Sequence, residues 1–168
     1  MRKLTAIITA SAVVVGLTVW GTVSSTTSKC TNVYVDYGVL DSGSTYTECV
    51  QIDTKTTALD VVRSAGLVLD GTDKYGSQIV CRINSLPSAV LPIGIKGHET
   101  YVERCTDMPA EFAYWAVLIK RARKPFESPL DLSVNWGWAQ TGIADIELNP
   151  GDSIGFVFAD NENVRFPN

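Results

Sequence analysis

Apolar and polar positions follow two rhythms along this chain, and the change between them predicts the order of its elements. Residues 32–37 (NVYVDY) and 46–52 (YTECVQI) have strand-like composition, and Asp41, Ser42, Gly43 and Ser44 between them form a turn, so the first element is a hairpin. Residues 56–66 shift to helical spacing. Ala58, Val62 and Ala65, with Leu59 beside them, recur at i, i+4 and i+7 on one stripe. Thr56 or Thr57 is the N-cap, Asp60 meets the positive helix end, and Gly66 supplies a left-handed stop. The spacing predicts one amphipathic helix of about three turns. After the turn residues Asp70, Gly71, Asp73 and Gly76, the run Ile79, Val80, Cys81 and Ile83 reads as a short buried strand that stops before Pro87.

Residues 86–106 are loop-like, since Pro87, Pro92, Gly94 and Gly97 interrupt any sustained ladder. The aromatic and β-branched run at 111–120 is expected to be a central strand, apolar on both faces toward its end. A basic knot follows (Lys120, Arg121, Arg123, Lys124), closed by Pro125. Residues 133–138 are expected to return as a strand with Trp136 and Trp138 on one face. Asn149, Pro150, Gly151 and Asp152 make a tight turn, 153–158 a last apolar strand, and 160–168 a polar tail.

The N-terminus reads differently from all of this. Arg2 and Lys3 precede an uncharged apolar run over 4–20, and the small residues at 22–25 suit signal peptidase, so residues 1–25 are expected to be an export signal. Residues 4–23 also approach the roughly 20 residues that span a bilayer, which keeps an uncleaved anchor as the competing reading. Residues 26–168 carry no repeats or linkers and are expected to form a single domain.

Removing Arg2 and Lys3 with the leader leaves 12 basic residues against 18 acidic ones, a formal charge of −6. A chain this acidic is a poor candidate for nucleic acid, so no such partner is expected, because that binding needs Lys and Arg to displace counterions. The 4 cysteines all follow the leader, and an even number in an exported chain implies two disulfides. The first hairpin brings Cys30 and Cys49 to neighbouring ends, which leaves Cys81 to pair with Cys105. With no C-x-x-C spacing and a single histidine, the cysteines do not read as a metal site.

Catalytic chemistry finds little support in these residues. His98 lies in a Gly-rich loop beside Glu99, and no serine has a nucleophile-elbow context. Asp145, Glu147 and Asp152 lack the regular spacing of a calcium loop and read as solvated charge. Tyr114, Trp115, Trp136 and Trp138 are either core or recognition surface, and alternation along the strands divides them. The connection over 121–133 is longer than a hairpin needs, and it sets Arg121, Arg123, Lys124 and Phe126 on an otherwise acidic chain. It reads either as a solvated excursion or as a surface for an anionic or flat partner.

The strings VYVDYG, TALDVVRSAG, VCRIN, AYW and PGDSIGF, with Cys49, Pro87 and Cys105 in register, make the chain resemble the transcobalamin-like C-terminal domain (DUF4430) family, above all its secreted actinobacterial members. The resemblance implies an α+β fold: a β-grasp-like mixed sheet of four to five strands crossed by one helix. It also implies a corrinoid as candidate ligand, covered on one side by such a domain. The AYW string is continued here by Ala116, Val117, Leu118 and Ile119 rather than by further aromatics, which reduces the ligand platform. The function expected is a secreted or cell-envelope binding module without catalysis, for a small molecule or cofactor; the alternative is a cell-surface module for protein contact or adhesion.

Overall fold

The computed structural model describes residues 29–123, 135–161 and 163–167; the leader or anchor expected in 1–25 lies outside them. β1 (Lys29–Asp36) and β2 (Thr45–Ile52) form the expected hairpin, antiparallel from Lys29 opposite Ile52 to Asp36 opposite Thr45. Its turn has two aspartates for a reason. Asp36 accepts the Gly38 N–H at 2.9 Å and Asp41 the Ser44 hydroxyl at 2.7 Å, while Ser42 takes the left-handed conformation. Cys30 and Cys49 are bonded across the hairpin with their Cα atoms 5.3 Å apart.

Thr57 is the N-cap of α1 (Ala58–Ser64): its hydroxyl oxygen accepts the Asp60 N–H at 3.2 Å and donates to the Asp60 carboxylate at 2.7 Å. The helix is about two turns long rather than three. Ala65 already leaves helical geometry, and Gly66 follows at φ 78°. Ala58, Val61, Val62 and Ala65 are buried, so Val61 belongs to the stripe beside the residues that the spacing picked out. Just before the helix, β3 (Thr56–Thr57) pairs with β8 (Glu147–Leu148), and after it β4 (Leu69–Thr72) and β5 (Gly76–Ile83) form a second hairpin.

The main sheet contains β6 (Ala113–Lys120), β7 (Gly137–Trp138) and β9 (Ser153–Asp160) in the order β2-β1-β9-β6-β7. β9 runs parallel to β1 and antiparallel to β6, so the last strand is the central one, and the 111–120 run lies one place further out. Ser153 through Ala159 are all buried, as a strand covered on both faces requires. The return strand expected over 133–138 is reduced to Gly137 and Trp138, opposite Ile119 and Leu118, and residues 133 and 134 lie outside the described part.

Alternation assigns the two faces. Val33, Val35, Trp115, Ile154, Phe156 and Phe158 point toward the helix and make the principal core. Ala116, Leu118 and Val157 point the other way and are covered by Tyr34, Tyr114, Trp136 and Val164. Gly155 makes that cover fit, because a Cβ there would lie 3.0 Å from the Trp136 ring. The polar tail is also tied to this side. Val164 packs on the outer cluster, and Phe166 meets Trp138 edge-on at 6.1 Å.

The long connection between β5 and β6 is held by polar staples instead of a ladder. Cys81 bonds Cys105 (Cα–Cα 5.7 Å), and Arg82 donates to the Pro87 and Glu103 carbonyls at 2.9 and 2.6 Å. The buried Glu103 carboxylate accepts the Tyr101 hydroxyl at 2.6 Å and the Cys105 N–H at 2.7 Å. Burial first, and then that carboxylate, pushes the Tyr101 phenol up to about 12. Two disulfides fit an oxidising compartment. No helix among the described residues is long and apolar enough to cross a membrane.

Candidate functional site

The candidate recognition residues part into four groups. Trp115 is core: it is 5% exposed, meets Tyr37 and Phe158 edge-on at 5.6 and 5.3 Å, and donates its indole N–H to the Leu86 carbonyl at 3.3 Å. Lys124 and Phe126 lie outside the described residues. Arg121 is a latch. The rest line two concavities, one beside the β6 edge and one on the outer face of the sheet.

In the sequence the basic knot reads as a solvated excursion or as a surface for an anionic or flat partner, and Arg121 instead makes a structural contact. Its guanidinium donates to the Asp152 carboxylate and to the Glu147 carbonyl, each at 2.8 Å. Asp152 is 2% exposed, not solvated, and also accepts the N–H groups of Ala122 (2.7 Å) and Asn149 (2.9 Å). Burial alone would raise its pKa. The two N–H groups and Arg121 together outweigh burial and hold the carboxyl below the usual range. Glu147 pairs with Lys55 and Asp145 accepts from Gln78 at 2.9 Å, so the three carboxylates have separate partners instead of converging on a cation site.

Beside β6 runs an apolar groove of about 800 Å³, lined by Tyr114, Val117, Trp138, Ile79 and Met108. β7 covers only the far end of the β6 edge, where the last rung is the Ala139 N–H on the Val117 carbonyl at 2.9 Å. The chain then crosses to β5. Gly142 lies so close to Gln78 that a Cβ would collide with it, which fixes the groove's second wall. Trp138 is 47% exposed and Met108 59% exposed at the mouth. Ile79 and Met108 were not among the candidates, because they reach the groove from separate segments and carry no local signal.

On the outer face a second concavity of about 830 Å³ collects Trp136, Lys120 and Arg123 with Tyr34, Asn32 and Asn135. The Lys120 ammonium sits 6.0 Å from the Trp136 ring, and the Tyr34 and Trp136 rings are 6.5 Å apart at 48°. The Trp136 indole N–H is buried and has no acceptor among the described residues.

No family model, curated protein or solved structure matches this chain. His98, the single histidine, is exposed and stacked flat on Phe112 at 3.5 Å, and its neighbour Glu99 accepts the Gly97 N–H at 2.8 Å. That hydrogen bond is the main cause holding the Glu99 carboxyl below its ordinary value. Among the described residues, the group with metal-ligand proximity is Cys81, Glu103 and Cys105, and its two sulfurs are bonded to each other.

Proposed function

We propose that this chain is an exported, non-catalytic binding module for a small molecule or cofactor that lays a flat ring face against the groove beside β6. The observation that carries this reading is Trp138, a large aromatic left nearly half exposed at the mouth of an apolar groove. Ligand sites favour such concave, aromatic-lined surfaces, and covering 100 Å² of apolar area is worth about 2.5 kcal/mol.

The sheet order supports a β-grasp reading, with the last strand parallel to the first and inserted between it and β6, and a helix packed on one face. That supports the transcobalamin-like resemblance and makes a corrinoid the first ligand to test. Calorimetry with cobalamin and cobinamide is expected to show saturable one-to-one binding, weakened about tenfold by Trp138→Ala, which corresponds to about 1.4 kcal/mol. No heat with either compound would remove corrinoids as the ligand class. A hydrolase and transferase panel is expected to stay silent, and activity abolished by His98→Ala would overturn the non-catalytic reading.

The second reading, a cell-surface protein contact, is favoured by Val90 and Leu91, adjacent side chains 79% and 64% exposed. Partner binding that Val90→Ser with Leu91→Ser abolishes, and Trp138→Ala leaves intact, would select it.

A further inference from the structure

From the charge lining the outer-face concavity, we infer a separate site there for a small ring-bearing oxyanion of the phosphate-monoester class. All the charged side chains lining it among the described residues are basic, although the chain as a whole carries −4. Lys120, Arg121 and Arg123 come from the end of β6, and Lys29 flanks them, its Cδ lying 3.4 Å from the Cβ position of Gly151. Asp152, the carboxylate that Arg121 meets, is buried and already answered by Arg121 and two N–H groups, so it is not left to pair with Lys120, Arg123 or Lys29.

Lys120, Arg123 and Lys29 take part in no ion pair among the described residues, whose pairs use Lys55, Arg63, Lys74 and Arg121 instead. Like charges brought together without counter-charges repel, and an oxyanion relieves that repulsion while accepting charge-assisted hydrogen bonds. More than one cation suits a dianion better than a carboxylate. Asn32, Asn135 and Thr47 add neutral hydrogen-bonding groups around the rim. The tilted pair of Trp136 and Tyr34 provides aromatic surface for a ring attached to the anion. Neither the cations nor the ring surface alone specifies this ligand; their meeting on one face does.

The test uses phenyl phosphate as probe, with phenol and inorganic phosphate as the two halves of it, titrated calorimetrically into the protein with its disulfides intact. Phenyl phosphate is expected to bind at least tenfold tighter than either half and to weaken as salt rises. Arg123→Gln and Lys120→Gln are each expected to weaken it about fivefold to tenfold with an unchanged melting temperature. Sedimentation with phosphatidylcholine vesicles, with and without phosphatidylinositol 4-phosphate, whose headgroup is a ring bearing a phosphate monoester, separates two sources of the same chemistry. Release from the phosphatidylinositol 4-phosphate vesicles by phenyl phosphate assigns a lipid headgroup, and no sedimentation assigns a soluble ligand. Phenyl phosphate binding no tighter than phenol, or equally tight in both variants, overturns the site.

Discussion

Arg121 and Asp152, 31 residues apart in the chain, meet at 2.8 Å between Nη1 and Oδ2, and only the carboxylate is out of reach of water. The asymmetry matters for stability. Removing the arginine leaves a buried carboxylate short of a donor, a loss of about 1–3 kcal/mol. Arg121→Gln is therefore expected to lower the melting temperature clearly, whereas Arg123→Gln, an exposed position two residues on, is expected to cost less than about 0.5 kcal/mol. Thermal melts of the two variants side by side check this, and equal melting temperatures would contradict it.

The same carboxylate sets an acid limb. Its folded pKa lies below the unfolded value of about 3.9, so its contribution is complete above that value and disappears as pH falls through the folded one. Wild-type stability is expected to fall as pH drops below about 4. Asp152→Asn, which cannot titrate, is expected to start less stable and to show a shallower slope over that range. Parallel slopes in the two proteins would show that other carboxyls control the acid limb.

Disulfide chemistry gives an independent check on the topology. Peptide mapping without reduction is expected to recover Cys30 linked to Cys49 and Cys81 linked to Cys105. Cys81 and Cys105 are buried at 2% and 4%, whereas Cys49 is exposed, so a water-soluble thiol should reduce the hairpin bridge first. Recovery of a Cys49–Cys81 peptide would contradict the fold itself.

Tryptophan truncations distinguish core from surface. Trp115→Ala empties the contact with Tyr37 and Phe158 and is expected to cost about 3–5 kcal/mol, enough to unfold a marginally stable chain. Trp138→Ala is expected to change stability by less than about 1 kcal/mol, because nearly half of the ring is already in water. Urea midpoints of both variants measure the difference.

Local signals in the sequence carried the hairpin, a threonine cap at 56 or 57, the Gly66 stop and the existence of a final apolar strand, since each depends on residues within one element. The order of strands did not follow from them. β1 and β9 pair through residues such as Asn32 and Ser153, more than a hundred positions apart, and parallel pairing leaves no turn to read. Alternation along a strand divides Tyr114 from Trp115, yet which of the two faces becomes the core depends on where the helix lands. The Arg121 latch escaped for a related reason. A basic run looks uniform along the chain, and only the fold sets Arg121 against a buried carboxylate while Arg123 stays in solvent. Ile79 and Met108 join Trp138 in the groove by the same long-range convergence.

Ligand binding in the β6 groove is tested most directly by a cobinamide titration followed by NMR at the Trp138 indole N–H and the backbone amides of Val117 and Ala139. All three are expected to shift together with one Kd while His98 and Thr100 stay still, and Trp138→Ala is expected to weaken the response about tenfold. Saturating cobinamide that leaves these three signals in place, or that moves His98 instead, would contradict it.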